Sequence, residues 1–138
     1  MEKLDRLGWA AGLSCVAYGV HIGIRVNNPE ALEWIPALLP PGWRPAALPV
    51  VDRLYSVWVG GAATRSNVRR FNLLYADSVR LARTTALDEL CEGLASDLQL
   101  YVAEAARRRL FVHAGAVGWR GRAIVIPGRS FSGKTTLV

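Results

Sequence analysis

Long apolar runs are missing from this sequence of 138 residues; none reaches the ~18 uninterrupted apolar residues that a helix needs to cross a bilayer. The amino terminus lacks a basic region followed by an apolar stretch and a small-residue cleavage site, so the expected compartment is the cytoplasm, with no membrane partner. Cysteine is scarce. Cys15 and Cys91 stand in unrelated segments without metal-ligand spacing, which predicts two free buried thiols, neither a strong nucleophile. Lysine is scarcer still in proportion: Lys3 and Lys134 are the only lysines among 17 basic residues. Acidic residues stop at Glu104, whereas Arg107, Arg108, Arg109, Arg120, Arg122, Arg129 and Lys134 all come later. The resulting net charge of +6 suits an anionic ligand or partner. An arginine-rich coding bias produces the same excess without one. With 51% hydrophobic residues the chain can bury a real core, which excludes a disordered tail.

The residues that are present read as a mixture of strands and helices. Alternation from Val16 through Tyr18, Val20, Ile22, Ile24 and Val26 predicts a half-buried strand or a long strand with a bend at its glycines, with His21 on the solvated face. Asn28, Pro29 and Glu30 have the form of a helix start, and the helix is expected to end near Ile35 because Pro36 disturbs its second half. Residues 42–49 are read as an irregular connection. A second strand is predicted over residues 54–59, and a hairpin over residues 70–75 and 79–83 turning at Ala76, Asp77 and Ser78. Arg65, Arg69, Arg70, Arg80 and Arg83 cluster here with Phe71 and Tyr75. A solvated strand face explains them better than a nucleic-acid surface, since no nucleic-acid fold signature accompanies them.

The strongest helical signal covers residues 86–109. Leu87, Leu90, Cys91, Leu94, Leu98, Tyr101, Val102 and Ala105 recur at helical spacing as one broad apolar face. Thr85 with Asp88 has the form of a capping box, and the arginines at 107–109 suit the negative end of the helix. Residues 110–116 are then predicted as a strand, Trp119-Arg120-Gly121-Arg122 as a turn, and residues 122–127 as a buried strand. The fold class expected is α/β: an amino-terminal α+β region over residues 1–109 with four or five mostly antiparallel strands, then the start of a phosphate-loop core over residues 110–138.

That last strand feeds Gly128-Arg129-Ser130-Phe131-Ser132-Gly133-Lys134-Thr135, which fits the pattern G-x-x-x-x-G-K-[ST]. Each residue type has a separate reason to be there. Glycines let successive backbone N–H groups turn towards phosphate oxygens, Lys134 reaches the β and γ phosphates, and the Thr135 hydroxyl ligates Mg²⁺. A helix beginning near Lys134 would add its positive end to the same anion site.

Together with Leu110-Phe111-Val112-His113-Ala114-Gly115-Ala116-Val117, this closing segment resembles the start of the catalytic domain of HPr kinase/phosphorylase-related proteins. The resemblance covers about 29 residues closely and carries a histidine about twenty residues before the loop lysine; residues 110–117 and 121–138 hold it. It implies ATP and Mg²⁺ as cofactors, with Gly128, Arg129, Ser130, Phe131, Ser132, Gly133, Lys134, Thr135 and Thr136 around the nucleotide phosphates and Thr135 on the metal. It also implies that His113 lies near the transferred phosphoryl group, influencing the catalytic carboxylate. The implied activity is phosphoryl transfer from ATP to a serine or other hydroxyl acceptor on a protein, a peptide or a small molecule. Homo-oligomers are common in this family.

Two departures stand beside the resemblance. Phe131 occupies a position where many members carry glycine, and a side chain there resists positive φ. The family's acidic pair, which supplies the base and a further metal contact beyond the loop helix, has no counterpart up to Val138. The expectation is therefore a chain that binds ATP too weakly to measure at micromolar concentrations and transfers no phosphoryl group. Two alternatives remain: a non-catalytic interaction module, and a fragment of a transporter-type ATPase, whose loop Ser132-Gly133-Lys134-Thr135-Thr136 also resembles. The transporter type lacks the His113 strand.

Overall fold

A computed structural model describes residues 2–47, 49–61, 70–112 and 114–128. The chain divides into two compact units, Met1–Arg108 and Arg109–Val138.

In the first unit the sequence alternation becomes a hairpin rather than one bent strand. β1 (Ala11–Ala17) and β2 (Val20–Val26) pair antiparallel, with Ala17 opposite Val20. The two residues between them, Tyr18 and Gly19, have φ of 52° and 85°, the left-handed conformation that a two-residue type I′ turn requires at both positions. Opposed residues share a face, so the turn shifts the buried parity from odd to even. Cys15 and Ala17 are buried on β1, and Val20, Ile22, Ile24 and Val26 on β2. The expected buried face holds for β2 and is corrected for Val16, which points to the other face.

Four more strands complete a sheet in the order β3-β1-β2-β4-β5-β6: β3 (Arg44–Pro45), β4 (Arg53–Trp58), β5 (Asn72–Ala76) and β6 (Val79–Thr84). Among the described strands only the β2–β4 pair is parallel. The molecule is thus α/β with a mixed sheet of mostly antiparallel strands. A parallel neighbour needs a crossover, and α2 (Ala31–Leu38) lies in that connection. Asn28 helps to start this helix: its Oδ1 accepts the Glu30 N–H at 3.1 Å and its carbonyl accepts the Ala31 N–H at 3.1 Å. Pro36 sits inside the helix. The expected stop at Ile35 is therefore corrected by about a turn, because Ile35 and Leu39 remain buried and hold the second turn to the core.

α3 (Leu87–Ala105) packs across β5 and β6. Its buried residues are Leu90, Leu94, Leu98 and Val102, an i, i+4 stripe narrower than the sequence predicts, with Leu87 42% exposed. Burying each such aliphatic side chain contributes roughly 1.5–3 kcal/mol before entropy is counted. The capping box of Thr85 with Asp88 does not form. Thr84 acts instead, its Oγ1 accepting the Ala86 N–H at 3.0 Å and its hydroxyl donating to Glu89. The helix also ends at Ala105 with no basic residue in its last turn, so the arginines at 107–109 are not helix-end residues. Ala106 is extended, and that ends the helix ahead of them.

Both helices cover one face of the sheet. The opposite face is partly covered near the amino terminus, where α1 (Glu2–Asp5) and Trp9 lie over Arg25. Arg25 Nε donates to Ser56 Oγ at 2.8 Å and Nη1 to Asp5 Oδ1 at 2.6 Å, with the guanidinium 4.6 Å from the Trp9 ring centre.

In the second unit β7 (Ala114–Trp119) and β8 (Arg122–Pro127) form a two-stranded hairpin. Arg120 and Gly121, with φ of 48° and 72°, make a second turn of the type I′ form, as the sequence turn at 119–122 anticipates. The first strand is displaced from its expected span: residues 110–112 have no regular structure, and Leu110 is 90% exposed.

Candidate functional site

The phosphate-loop pattern begins where β8 ends. Pro127 pairs with Ala114, so the residue after His113 and the residue before Gly128 are partners at the open end of the hairpin. Gly128 is exposed. His113, Arg129, Ser130, Phe131, Ser132, Gly133, Lys134, Thr135 and Thr136 lie outside the described residues. Among the described residues no group of three or more His, Cys, Asp or Glu could hold a metal ion; Thr135, assigned to Mg²⁺ by resemblance, is not among them.

The first unit contains a polar constellation that sequence reading missed. β4 carries Arg53 and Tyr55 on the helix-facing side, and α3 brings Asp97 and Tyr101 to meet them. The Tyr55 hydroxyl donates to Asp97 Oδ2 at 2.7 Å. Arg53 stands between two carboxylates, with Nη1 3.7 Å from Asp97 Oδ2 and Nε 3.8 Å from Asp77 Oδ2, and its guanidinium lies 4.4 Å from the Tyr101 ring centre. Its Nε is buried without a hydrogen bond. Burial first, then the bond to Asp97 and the charge of that carboxylate, push the Tyr55 phenol far above its ordinary range. Tyr101 is shifted upward too, by burial and by the Asp52 charge.

Beside this network is a cleft of about 650 Å³ bordered by Tyr18, His21, Asp52, Tyr101, Glu104 and Arg107, among others. Asp52 organises one wall: its Oδ2 accepts the His21 backbone N–H at 2.7 Å and lies 3.6 Å from His21 Nδ1, while its carbonyl accepts from the Tyr101 hydroxyl at 3.1 Å. Arg107 and Arg108 line the cleft. No periodicity marks these residues, because they come from a turn, a loop and the end of α3, and only the fold assembles them. Charges of both signs line the space.

The cysteines agree with their reading as unactivated thiols: both are free, Cys15 is buried, and Cys91 is half-buried. Burial raises both, with the Asp88 charge adding to the effect at Cys91.

The described fold is thus an α/β unit with a mixed, mostly antiparallel sheet, followed by a separate hairpin that leads into a glycine-rich loop. Set against known proteins, the chain matches no family model, no curated protein and no solved structure.

Proposed function

We propose that residues 128–136 bind the phosphates of Mg·ATP, in the manner of HPr-serine-kinase-like proteins, and that the 138-residue chain holds nucleotide weakly. The observation that carries this is the β7–β8 hairpin, a tightly turned strand pair that ends at Pro127, immediately before the first residue of G-x-x-x-x-G-K-[ST]. Strand-then-loop is the context in which that pattern cradles phosphate. In this reading the backbone N–H groups of the loop and Lys134 hold the phosphates, and Thr135 and Thr136 stand at the metal side. His113 is assigned by the resemblance to the neighbourhood of the transferred phosphoryl group. Mg²⁺, when bound, would neutralise charge between the β and γ oxygens.

Weak affinity results from how the loop is supported. The hairpin has two strands, and two strands alone are marginally stable in water. Ile124 and Val125, neighbours pointing to opposite faces of β8, are 54% and 55% exposed, where the sequence predicts a buried strand. Nucleotide binding then carries the cost of holding that hairpin in place.

Competition for a labelled nucleotide tests the reading. Unlabelled Mg·ATP should displace the label only in the millimolar range, and Lys134→Ala should remove the effect. Retained competition in that variant would contradict it. The exposed apolar residues of the hairpin also favour a second reading, a non-catalytic interaction module, in which nucleotide has no effect at any concentration.

A further inference from the structure

The sequence sets five arginines close together, and the nucleotide reading uses none of them. The structure places two of these, Arg80 and Arg83, on β6, the last strand of the six-stranded sheet. An edge strand directs alternate N–H and C=O groups outward, where another extended chain can pair with them. The sheet's two edges are handled differently. β3 is two residues long and ends in Pro45, a short proline-blocked edge of the kind that resists added strands. β6 has six residues and no proline, with Val79 60% and Leu81 37% exposed.

Register fixes where its charges point. Arg83 is opposite Leu73 and Arg80 is opposite Tyr75, so both arginines stand on the face opposite to α2 and α3. Arg83 is held in place, its guanidinium 3.9 Å from the Phe71 ring centre. The ion pairs of the described residues use Arg25, Arg53 and His21; neither Arg80 nor Arg83 has an acidic partner among them. On the helix-facing side Thr84 is occupied by Glu89, so negative charge sits behind the strand and positive charge in front of it.

The geometry points to β6 as a docking edge for an extended acidic segment of a partner protein, which adds as a seventh strand with its carboxylates beside Arg80 and Arg83. Main-chain hydrogen bonds supply affinity, and the two arginines select charge and register. Charge complementarity also disfavours a second copy of this chain, since β6 against β6 would bring arginines together, and directly opposed like charges destabilise a strand pair. This inference does not rest on the phosphate-loop reading.

The test uses the whole 138-residue chain and fluorescence anisotropy with three probes: a labelled peptide of alternating Val and Glu, the same peptide with Lys for Glu, and labelled oligothymidylate. The acidic peptide should bind and slow amide hydrogen exchange over residues 79–84. The double variant R80E/R83E should weaken it by about tenfold or more and gain affinity for the Lys peptide. The variant's far-UV circular dichroism and unfolding midpoint, unchanged, show that the exposed substitutions leave the fold intact. Tighter binding of oligothymidylate than of the acidic peptide overturns the proposal in favour of a nucleic-acid face. So does a peptide affinity indifferent to the double variant, an absence of peptide binding, or a dimer whose interface protects β6.

Discussion

Tyr55 ties the sheet to α3 by a polar bond, its ring buried in the core and its hydroxyl donating to Asp97. Replacing it by Phe leaves Asp97 without that donor but still near Arg53, so Tyr55→Phe should cost about 1–2 kcal/mol in urea unfolding at neutral pH. Its titration gives a second readout. The folded chain holds the phenolic proton well above the ordinary pKa of about 10, whereas the unfolded chain releases it there. Above that pH the unfolded state binds fewer protons, so stability is full below it and falls as pH rises. The buried Cys15 thiol acts in the same sense from a lower onset. Tyr55→Phe should therefore show a shallower alkaline loss than the parent; equal slopes would remove Tyr55 from the account. Gly12 is another position where one atom matters: a Cβ there would lie 2.7 Å from the Ile24 carbonyl oxygen. Gly12→Ala should cost about 1–3 kcal/mol, read as a lower unfolding midpoint. Neither effect is legible in the sequence, since both depend on residues far apart along the chain.

Among the elements, α3 separates periodicity from packing most clearly. Leu94 is fully buried and Leu100 is 59% exposed on the same helix. Leu94→Ala should lose about 2–5 kcal/mol, while Leu100→Ala should stay within roughly 0.5 kcal/mol; comparable losses would mean the helix packs on a different face. The helical period makes this element legible, and alternation does the same for β2. Turn chemistry is harder to read. Tyr18 gives no local sign of positive φ, so the sequence hides the β1–β2 turn and with it the true face of Val16. Caps are ambiguous for a related reason: Thr84 and Thr85 both offer a hydroxyl, and tertiary position decides between them. Helix length obeys tertiary burial over local preference at Pro36, whereas α3 ends where Ala106 becomes extended.

For the whole molecule, two parts of the chain support two different kinds of claim. The first unit has a packed core, a polar network around Arg53 and a cleft beside it, all assembled by topology and so invisible to motif reading. The second is a hairpin that leads into the G-x-x-x-x-G-K-[ST] pattern, and strand pair and residue types together carry the nucleotide proposal. Removing Mg²⁺ with a chelator should weaken nucleotide binding further, because the divalent ion neutralises charge between the β and γ phosphates; unchanged competition would leave Thr135 without its proposed role. The central claim is tested most directly by following backbone amide resonances of the 138-residue chain during titration with Mg·ATP. The account predicts saturable shifts in the millimolar range confined to residues 113–136 and abolished by Lys134→Ala. Shifts in the Tyr18, His21 and Asp52 cleft instead, or none that depend on Lys134, would contradict it.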